Sequence, residues 1–163
     1  MLDKPTFVAL VDAKSDALYR IARTILRNDE DCKDALQETV LKAWANRYQV
    51  REDALIGTWM TRILINECRA ICRKRKKYVL SAEIAPQAVT APADPALRQA
   101  LEALPEKLRL PLILHYLEGY SYEDVASILR IPRTTVRSRL SRARLWLQTE
   151  MKKETEAQLH EPQ

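Results

Sequence analysis

Apolar residues recur at helical spacing along most of the chain, and this pattern predicts an all-α fold. In the first part, the order i, i+3, i+4, i+7, i+8 marks an amphipathic helix through Leu18, Ile21, Ala22, Ile25 and Leu26. Asn28 is expected to cap the end of that helix, and the next helix is expected to run from about Asp29 to Arg47. A polar stretch then precedes a further helix from about Ala54 to Lys77.

The segment Val79–Pro95 interrupts the helical pattern. Its sequence, VLSAEIAPQAVTAPADP, contains prolines too dense for a continuous helix and few side chains that suit a core. We therefore predict two small helical domains, residues 1–78 and 96–150, joined by a flexible linker at 79–95, with a polar tail at 151–163 that frays. A long loop inside one domain is the alternative, although loops of this length are uncommon in compact folds.

The second domain begins with clear helix signals. Asp94 suits an N-cap, and Pro95 occupies the first helical position, where proline is tolerated best. After a leucine stripe, the next helix is predicted over Leu112–Glu118, with Pro111 in its first turn and Gly119 ending it.

The stretch Ser121–Leu147 predicts a helix-turn-helix. Ser121 and Asp124 suit a capping box at the start of a helix over Tyr122–Leu129. Arg130 then occupies a turn position where glycine is common, because the backbone there tends to positive φ. The following helix is anchored by apolar side chains spaced four, three and four residues apart: Val136, Leu140, Ala143 and Leu147. In such a motif the second helix lies in the DNA major groove.

The exposed face of that second helix is rich in arginine and hydroxyl groups. Arginine can bond guanine or phosphate with two parallel hydrogen bonds, and hydroxyls bind either more weakly. No acidic residue occurs from Arg130 to Leu147, whereas a merely solvated helix face usually mixes both signs. We predict that duplex DNA binds to Arg133, Thr134, Thr135, Arg137, Ser138, Arg139 and Arg142.

A second basic segment, Gly57–Lys77, ends the first domain. Trp59 near its start suits either stacking against an unpaired base or packing in the core. The basic run at Arg73–Lys77 alone also suits a positive surface or a helix-dipole partner. Together with the helix-turn-helix, the segment predicts a separate DNA contact through Trp59, Arg62, Asn66, Arg69, Arg73 and Arg75.

Composition narrows the classes of function. The formal net charge of +5 is modest support for a polyanionic partner. An odd number of cysteines and the lack of a signal peptide pattern at Met1–Val11 favour the cytoplasm. Cys68 and Cys72 share a helix face, as ordinary thiols or, alternatively, as a metal pair.

No cofactor, metal or small-molecule substrate is predicted. His115 and His160 are the only histidines, and no catalytic constellation surrounds them, so we do not predict an enzyme. No apolar run approaches the roughly 20 residues of a membrane span, so membrane insertion is not expected either.

Taken together, these segments resemble the sigma factors of bacterial RNA polymerase, the sigma-70 family, and within it the extracytoplasmic-function group. DCKDALQETVLKAW is similar to the family's polymerase-binding segment, and GTWMTRILINECRAICRKRKK to the segment that melts and recognises the minus-ten element. The stretch from Leu104 to Leu147 resembles the minus-thirty-five domain.

The resemblance implies a role for each segment. The face of the central first-domain helix, which alone would be a solvated surface, would dock on the polymerase clamp through Asp34, Gln37, Glu38 and Lys42. The Tyr48–Ile56 loop would form a pocket for a flipped base, near Asn66 and Arg69. Residues Leu108–Glu118 would meet the polymerase flap. The implied partners are core RNA polymerase, promoter DNA as duplex and melted strand, and an anti-sigma factor.

A stand-alone helix-turn-helix regulator that binds a palindrome as a dimer is the rival interpretation. It requires a dimerisation helix or a ligand pocket, and the first domain offers neither plainly. Strong specific duplex binding without polymerase would favour it.

Overall fold

The computed structural model describes residues 2–78 and 94–160, and the regular elements in those ranges are helical. The helices are α1 (Lys4–Ile25), α2 (Asp29–Ala45), α3 (Ile56–Tyr78), α4 (Pro95–Ala103), α5 (Glu106–Leu112), α6 (Tyr122–Leu129) and α7 (Arg133–Leu159). Short 3-10 turns at Arg47–Gln49 and Asp53–Leu55 connect α2 to α3, and a π-helical turn at Ile113–Leu117 follows α5. The predicted all-α fold is confirmed. The predicted linker lies outside the described residues, except for its last two.

The first unit is built from α1, α2 and α3, each packed against the other two. Its α1 begins at Asp3, whose carboxylate accepts a hydrogen bond from the Thr6 N–H at 3.0 Å. The role predicted for Asn28 is wrong: it caps the start of α2, accepting from the Glu30 N–H at 2.8 Å. The free N–H groups of the first turn of α2 need an acceptor there, while α1 has already ended at an extended Leu26.

Burial in this unit decides which helix faces remain for partners. Ile21 and Ala22 of α1, Ala35 of α2, and Met60 and Leu64 of α3 are completely buried. Each lies on the inner face of its helix. The opposite faces of α2 and α3 therefore carry most of the polar residues of this unit that the sequence marked for function.

The second unit contains α4, α5, most of α6 and α7, with α4 and α5 packed against α7. Its start follows the sequence signals, since the Asp94 carboxylate accepts from the Ala96 N–H at 2.9 Å and Pro95 is the first helical residue. Val125 of α6 and Val136, Leu140 and Ala143 of α7 are fully buried, as predicted for the last three. These contacts fix the helix whose outer face was predicted to bind DNA.

Two boundaries in this unit differ from the prediction. The helix expected from Leu112 begins at Glu106, directly after Pro105, so that Pro111 lies inside it and not in its first turn. The helix then widens into the π turn, where the Glu118 N–H donates to the Ile113 carbonyl at 3.0 Å. Gly119, at a φ of +75°, ends the segment as predicted.

The tail predicted to fray from residue 151 is helical as far as Leu159, the end of α7. This stretch, MKKETEAQL, consists mostly of residues that favour a helix, and Lys153 pairs with Glu150 one turn earlier at 3.3 Å. The polar stretch therefore continues α7, and whether its end frays stays a prediction. No helix within residues 2–78 and 94–160 combines the length and the apolar character that crossing a membrane requires.

Candidate nucleic-acid interface

The turn between α6 and α7 sets the direction of α7. The Ser121 hydroxyl and Asp124 form the predicted capping box, with the Asp124 N–H donating to the Ser121 Oγ at 3.1 Å. Arg130 ends α6 in the left-handed conformation, at φ 55° and ψ 48°. The Ile131 N–H donates back to the Ala126 carbonyl at 3.1 Å, and extended Pro132 starts α7. This local geometry confirms the positive φ predicted at Arg130.

The outward face of α7 carries the predicted DNA-binding residues at different depths. Thr134, Arg137, Ser138 and Arg142 are exposed, whereas Thr135 and Arg139 are half-buried at the edge of the face. Neither Arg137 nor Arg142 has a carboxylate within ion-pair distance in the described part of the chain. Their guanidinium groups are thus available to phosphates or guanine edges without first breaking a bond inside the protein.

Two arginines of α7 are already engaged within the second unit. Arg133 pairs with Glu123 of α6 at 3.3 Å, both side chains being largely exposed. Arg144, which the prediction did not include, donates to the Tyr116 hydroxyl at 2.6 Å. An exposed pair such as Arg133–Glu123 is weak and competes poorly with a phosphate. The Arg144 guanidinium is bound to the Tyr116 hydroxyl.

One edge of α3 gathers five of the six residues predicted for the second DNA contact. At about 3.6 residues per turn, the spacings of three and four residues bring them to one side of the helix, opposite the fully buried Met60, Leu64 and Cys68. Asn66 and Arg73 are exposed, and Trp59 is half-buried rather than part of the core. The edge consists of Trp59, Arg62, Asn66, Arg69 and Arg73, and is called the α3 edge below.

Arg75 does not belong to this edge. It follows Arg73 by two residues and so projects from a different side of α3. There its Nε lies 2.5 Å from a carboxylate oxygen of Asp31 on α2. The sequence could not distinguish Arg75 from its neighbours in the basic run, because its partner lies 44 positions earlier in the chain (75 minus 31).

The outer face of α2 carries polar and acidic side chains and, one turn further along the helix, one exposed leucine. Asp34, Gln37 and Glu38 are exposed as predicted. Leu41, which follows them before the end of the helix, is 58% exposed. Lys42 lies beside this face but pairs with Glu67 of α3, which raises the pKa of the lysine. The prediction missed Leu41, although its place off the buried stripe was visible in the helical spacing.

The connection between α2 and α3 displays two further apolar side chains. Tyr48, in the first 3-10 turn, is 65% exposed, and Leu55, in the second, is 50% exposed. Arg47 lies against the ring of Trp44 at the end of α2, with 3.7 Å between its Cζ and the ring centroid. The prediction assigned this loop to base recognition but singled out no side chain in it.

The cysteines lie within the first unit and are free thiols. Cys32 and Cys68 are completely buried, and Cys72 is half-buried. Burial raises the pKa of Cys32 to about 11, so this thiol stays protonated and unreactive at neutral pH. No group of three or more metal-ligating side chains occurs among the described residues.

Comparison with known proteins places both units in one family. The model of sigma-70 region 2 matches residues 10–78, and that of sigma-70 region 4 matches residues 95–147. The chain is similar to the ECF RNA polymerase sigma factor SigM of Mycobacterium tuberculosis, with 31% identity over 147 residues that cover 87% of this chain and 75% of SigM.

Solved structures agree with these matches. The sigma factor RpoE, in complex with the anti-sigma factor NepR from Bartonella quintana, aligns with a TM-score of 0.74 and 29% identity, covering 90% of this chain and 96% of RpoE. CnrH, in complex with the cytosolic domain of CnrY, shares the fold at a TM-score of 0.67 and 22% identity, covering 92% and 90% of the two chains. The chain therefore belongs to the sigma-70 family of RNA polymerase sigma factors, in its extracytoplasmic-function group.

Proposed function

We propose that the chain is a transcription initiation factor with separate surfaces for duplex DNA, melted DNA and core RNA polymerase. The outward face of α7 binds duplex DNA of the minus-thirty-five element, and the α3 edge binds the melted minus-ten strand. The acidic face of α2, with Asp34, Gln37 and Glu38, docks on core RNA polymerase, and Lys42 lies beside it. Residues Leu108–Glu118 meet the polymerase flap. The protein acts in the cytoplasm and does so without catalysing a reaction itself.

The observation that carries this proposal is the face of α7. Arg137 and Arg142 point outward, have no carboxylate partner in the described residues, and stand on a helix fixed by three fully buried side chains. A rigid helix with free guanidinium groups suits the major groove, where arginine bonds the O6 and N7 of guanine. The hydroxyl of Ser138 adds less, because it already donates to the Thr135 carbonyl at 3.2 Å.

The α2 face supports docking on a basic protein surface. Exposed Leu41 follows Asp34, Gln37 and Glu38 on the same face, so this face offers an apolar contact next to polar and acidic ones. Interfaces usually have this arrangement, with an apolar centre and a polar rim that sets specificity. Lys42 contributes less to docking than predicted, since Glu67 already binds its ammonium group.

An anti-sigma factor is a further proposed partner. RpoE and CnrH were each solved with a bound protein. RpoE binds NepR, which is described as an anti-sigma factor, and CnrH binds the cytosolic domain of CnrY. A similar partner of this chain would compete with core polymerase. Co-purification of the chain from cells, followed by displacement with core polymerase, tests this directly.

Transcription in vitro tests the main proposal. Core polymerase with this chain is expected to start transcripts at defined sites on a promoter library, whereas core polymerase alone is not. The start sites should share two upstream elements at a fixed spacing. A random distribution of starts, combined with tight and specific duplex binding by the chain alone, would instead establish the stand-alone regulator.

Charge reversal tests the docking face separately. Asp34→Lys with Glu38→Lys should weaken polymerase binding and leave the far-ultraviolet circular dichroism spectrum unchanged. Asp12→Lys with Asp16→Lys is the matched control, because both residues are exposed on α1 and carry the same charge. Equal affinity for polymerase in the two double variants would rule out the α2 face.

A further inference from the structure

Glu123 brings a carboxylate to the basic outward face of α7. No acidic residue occurs within Arg130–Leu147 itself. Glu123 comes from the first turn of α6, and one of its carboxylate oxygens lies 3.3 Å from Nη1 of Arg133, the first residue of α7. Arg137 and Arg142 have no such partner among the residues that the structure describes. The arginine at the start of the helix is therefore held differently from those further along it.

The backbone beneath this pair is fixed on both sides. Val125 of α6 and Val136 of α7 are completely buried, and each lies close in sequence to one of the paired residues. Between the helices, Arg130 adopts the left-handed conformation, and the N–H groups of Thr135 and Val136 both donate to the Pro132 carbonyl, at 3.0 and 3.1 Å. The turn thus sets the separation of the two paired residues, and the pair forms without any movement of the backbone.

The carboxylate of Glu123 takes no part in the cap of α6. Ser121 and Asp124 form that cap, in which the Ser121 N–H also donates to the Asp124 carboxylate at 3.3 Å. The side chains of Arg133 and Glu123 are 60% and 77% exposed, so water weakens their attraction in the free protein. Either side chain can therefore be replaced without opening the core or removing the cap.

The bond to Glu123 leaves most of the Arg133 guanidinium unused. The bond uses Nη1, whereas a guanidinium carries five N–H groups on three nitrogens. Guanine presents O6 and N7 side by side in the major groove, and these two acceptors suit two N–H groups of one arginine. Residues at the N-terminus of a recognition helix are the ones that contact base edges. Arg133 can therefore bind Glu123 and a guanine edge at the same time.

A phosphate near Arg133 meets a different environment. The first helix of a helix-turn-helix crosses the DNA backbone, which brings the first turn of α6 toward the phosphates. A phosphate that bonds Arg133 comes close to the Glu123 carboxylate, and the two negative charges repel each other. A base edge carries no net charge and is not repelled. Although the pair is weak by itself, its carboxylate thus disfavours phosphate contact more than base contact.

We propose that Glu123 is a positioning residue that directs Arg133 to a guanine edge of the minus-thirty-five duplex and away from phosphate. This inference rests on the proposed function and adds a specificity-determining residue from outside the predicted DNA-binding set. Specificity is a difference between two affinities, so a residue that weakens binding to every duplex can still raise the discrimination between them.

The test measures binding of the reconstituted holoenzyme to duplex promoter fragments in which each minus-thirty-five base pair is replaced in turn. The ratio of the dissociation constants for the replaced and the original fragment gives the discrimination at that base pair. Arg133→Ala should lower the discrimination at a G·C pair by about 5- to 150-fold, the range for one bidentate arginine–guanine contact.

Glu123→Ala should lower the discrimination at the same base pair and by less. An exposed ion pair limits the loss to about 5-fold. Glu123→Gln removes the charge but keeps an acceptor oxygen for Arg133, so its discrimination should lie between those of Glu123→Ala and the native chain. Circular dichroism should show the same helix content in all of these variants.

Duplex DNA without a promoter provides a readout that a merely structural role would not change. When the carboxylate is removed, Arg133 gains access to phosphate. Holoenzyme with Glu123→Ala should then bind this DNA more tightly at low salt, and the slope of log affinity against log salt should steepen by up to about 0.9, the value for one phosphate. Glu156→Ala, which removes an exposed carboxylate from the C-terminal part of α7, is the charge control and should leave the discrimination unchanged.

The double variant decides whether Glu123 acts through Arg133. In the Arg133→Ala background, Glu123→Ala should change the discrimination no further. A further loss there, or an equal loss at every base pair, would overturn the positioning role and indicate a disturbed turn. Native discrimination in either single variant would overturn it as well. None of these results affects the proposed function, which only failure of the native chain to direct initiation would contradict.

Discussion

The basic face of α7 and the α3 edge differ in how the fold supports them. Only Val136, Leu140 and Ala143 of α7 are completely or nearly completely buried, and most of its remaining surface points to solvent. By contrast, α3 is packed between α1 and α2 and buries side chains along most of its length. One helix is displayed at the end of a tight turn, and the other forms part of a three-helix core.

The chemistry on the two helices follows this difference. The face of α7 offers arginines and hydroxyls, which suit the phosphates and base edges that a duplex presents. The α3 edge adds an indole and an amide, and a loop with exposed Tyr48 adjoins its N-terminal end. Aromatic and amide groups are useful when bases are unstacked, which supports our proposal that α7 binds duplex DNA and the α3 edge binds melted DNA.

Removing a core side chain from each unit in turn should have the largest effect, and it tests whether α7 and α3 are each supported by their own core. Leu140→Ala should cost about 2–5 kcal/mol, the usual range for a buried leucine, and Leu64→Ala a similar amount. If each helix depends on its own core, Leu140→Ala lowers hydrogen-exchange protection in α7 and spares α3, and Leu64→Ala does the reverse. Loss of protection in both helices from either variant would contradict separate cores.

The arginines of α7 provide the next largest effect. Arg137→Ala or Arg142→Ala should cost about 1–3 kcal/mol at one base pair if the side chain bonds a base. If it bonds phosphate instead, binding weakens for every sequence and the slope of log affinity against log salt falls by about 0.9. Arg144→Ala is the matched control, because its guanidinium binds Tyr116. Duplex affinities that match the control in both variants would show that the face is misassigned.

Local sequence rules predicted the parts of the fold that depend on adjacent residues. The cap at Asp94 with Pro95, the capping box at Ser121 and the positive φ of Arg130 each follow from a few neighbouring positions. The buried stripe of α7 follows from spacing alone. Such features are set by backbone geometry that a short stretch of chain must satisfy wherever it is placed.

Other features depend on partners far along the chain and were missed or misassigned. Arg75 looks like any member of its basic run until Asp31 is found beside it. The contact of the Trp44 ring with Phe7 joins two helices, and no spacing rule connects residue 7 to residue 44. Asn28 was misassigned for a different reason, because asparagine suits both ends of a helix and only the fold shows which end it serves.

Arg130 permits a sharper test of the turn that displays α7. Glycine accepts a φ of 55° without strain, so Arg130→Gly should raise the free energy of unfolding by up to about 1 kcal/mol. Arg130→Ala removes the same charge and keeps the strained conformation, so the difference between the two variants isolates the backbone term. Urea unfolding of both variants measures this difference in the free energy of unfolding. Equal stability of the two variants would mean that the left-handed conformation carries no strain.

The smallest effect concerns Asp31, which pairs with Arg75 on a side of α3 away from the α3 edge. Asp31→Asn removes the carboxylate 2.5 Å from Arg75, and the loss of one partly exposed pair should lower stability by less than about 1 kcal/mol. The freed guanidinium can then reach DNA, so binding of the chain to single-stranded DNA should strengthen at low salt and its salt slope should steepen by up to about 0.7. Asp12→Asn, which changes the net charge equally on α1, controls for the general gain of positive charge. A salt slope in Asp31→Asn no steeper than in this control would mean that the pair with Asp31 is not what keeps Arg75 from the strand. The position of Arg75, on a side of α3 away from the α3 edge, would then be the reason.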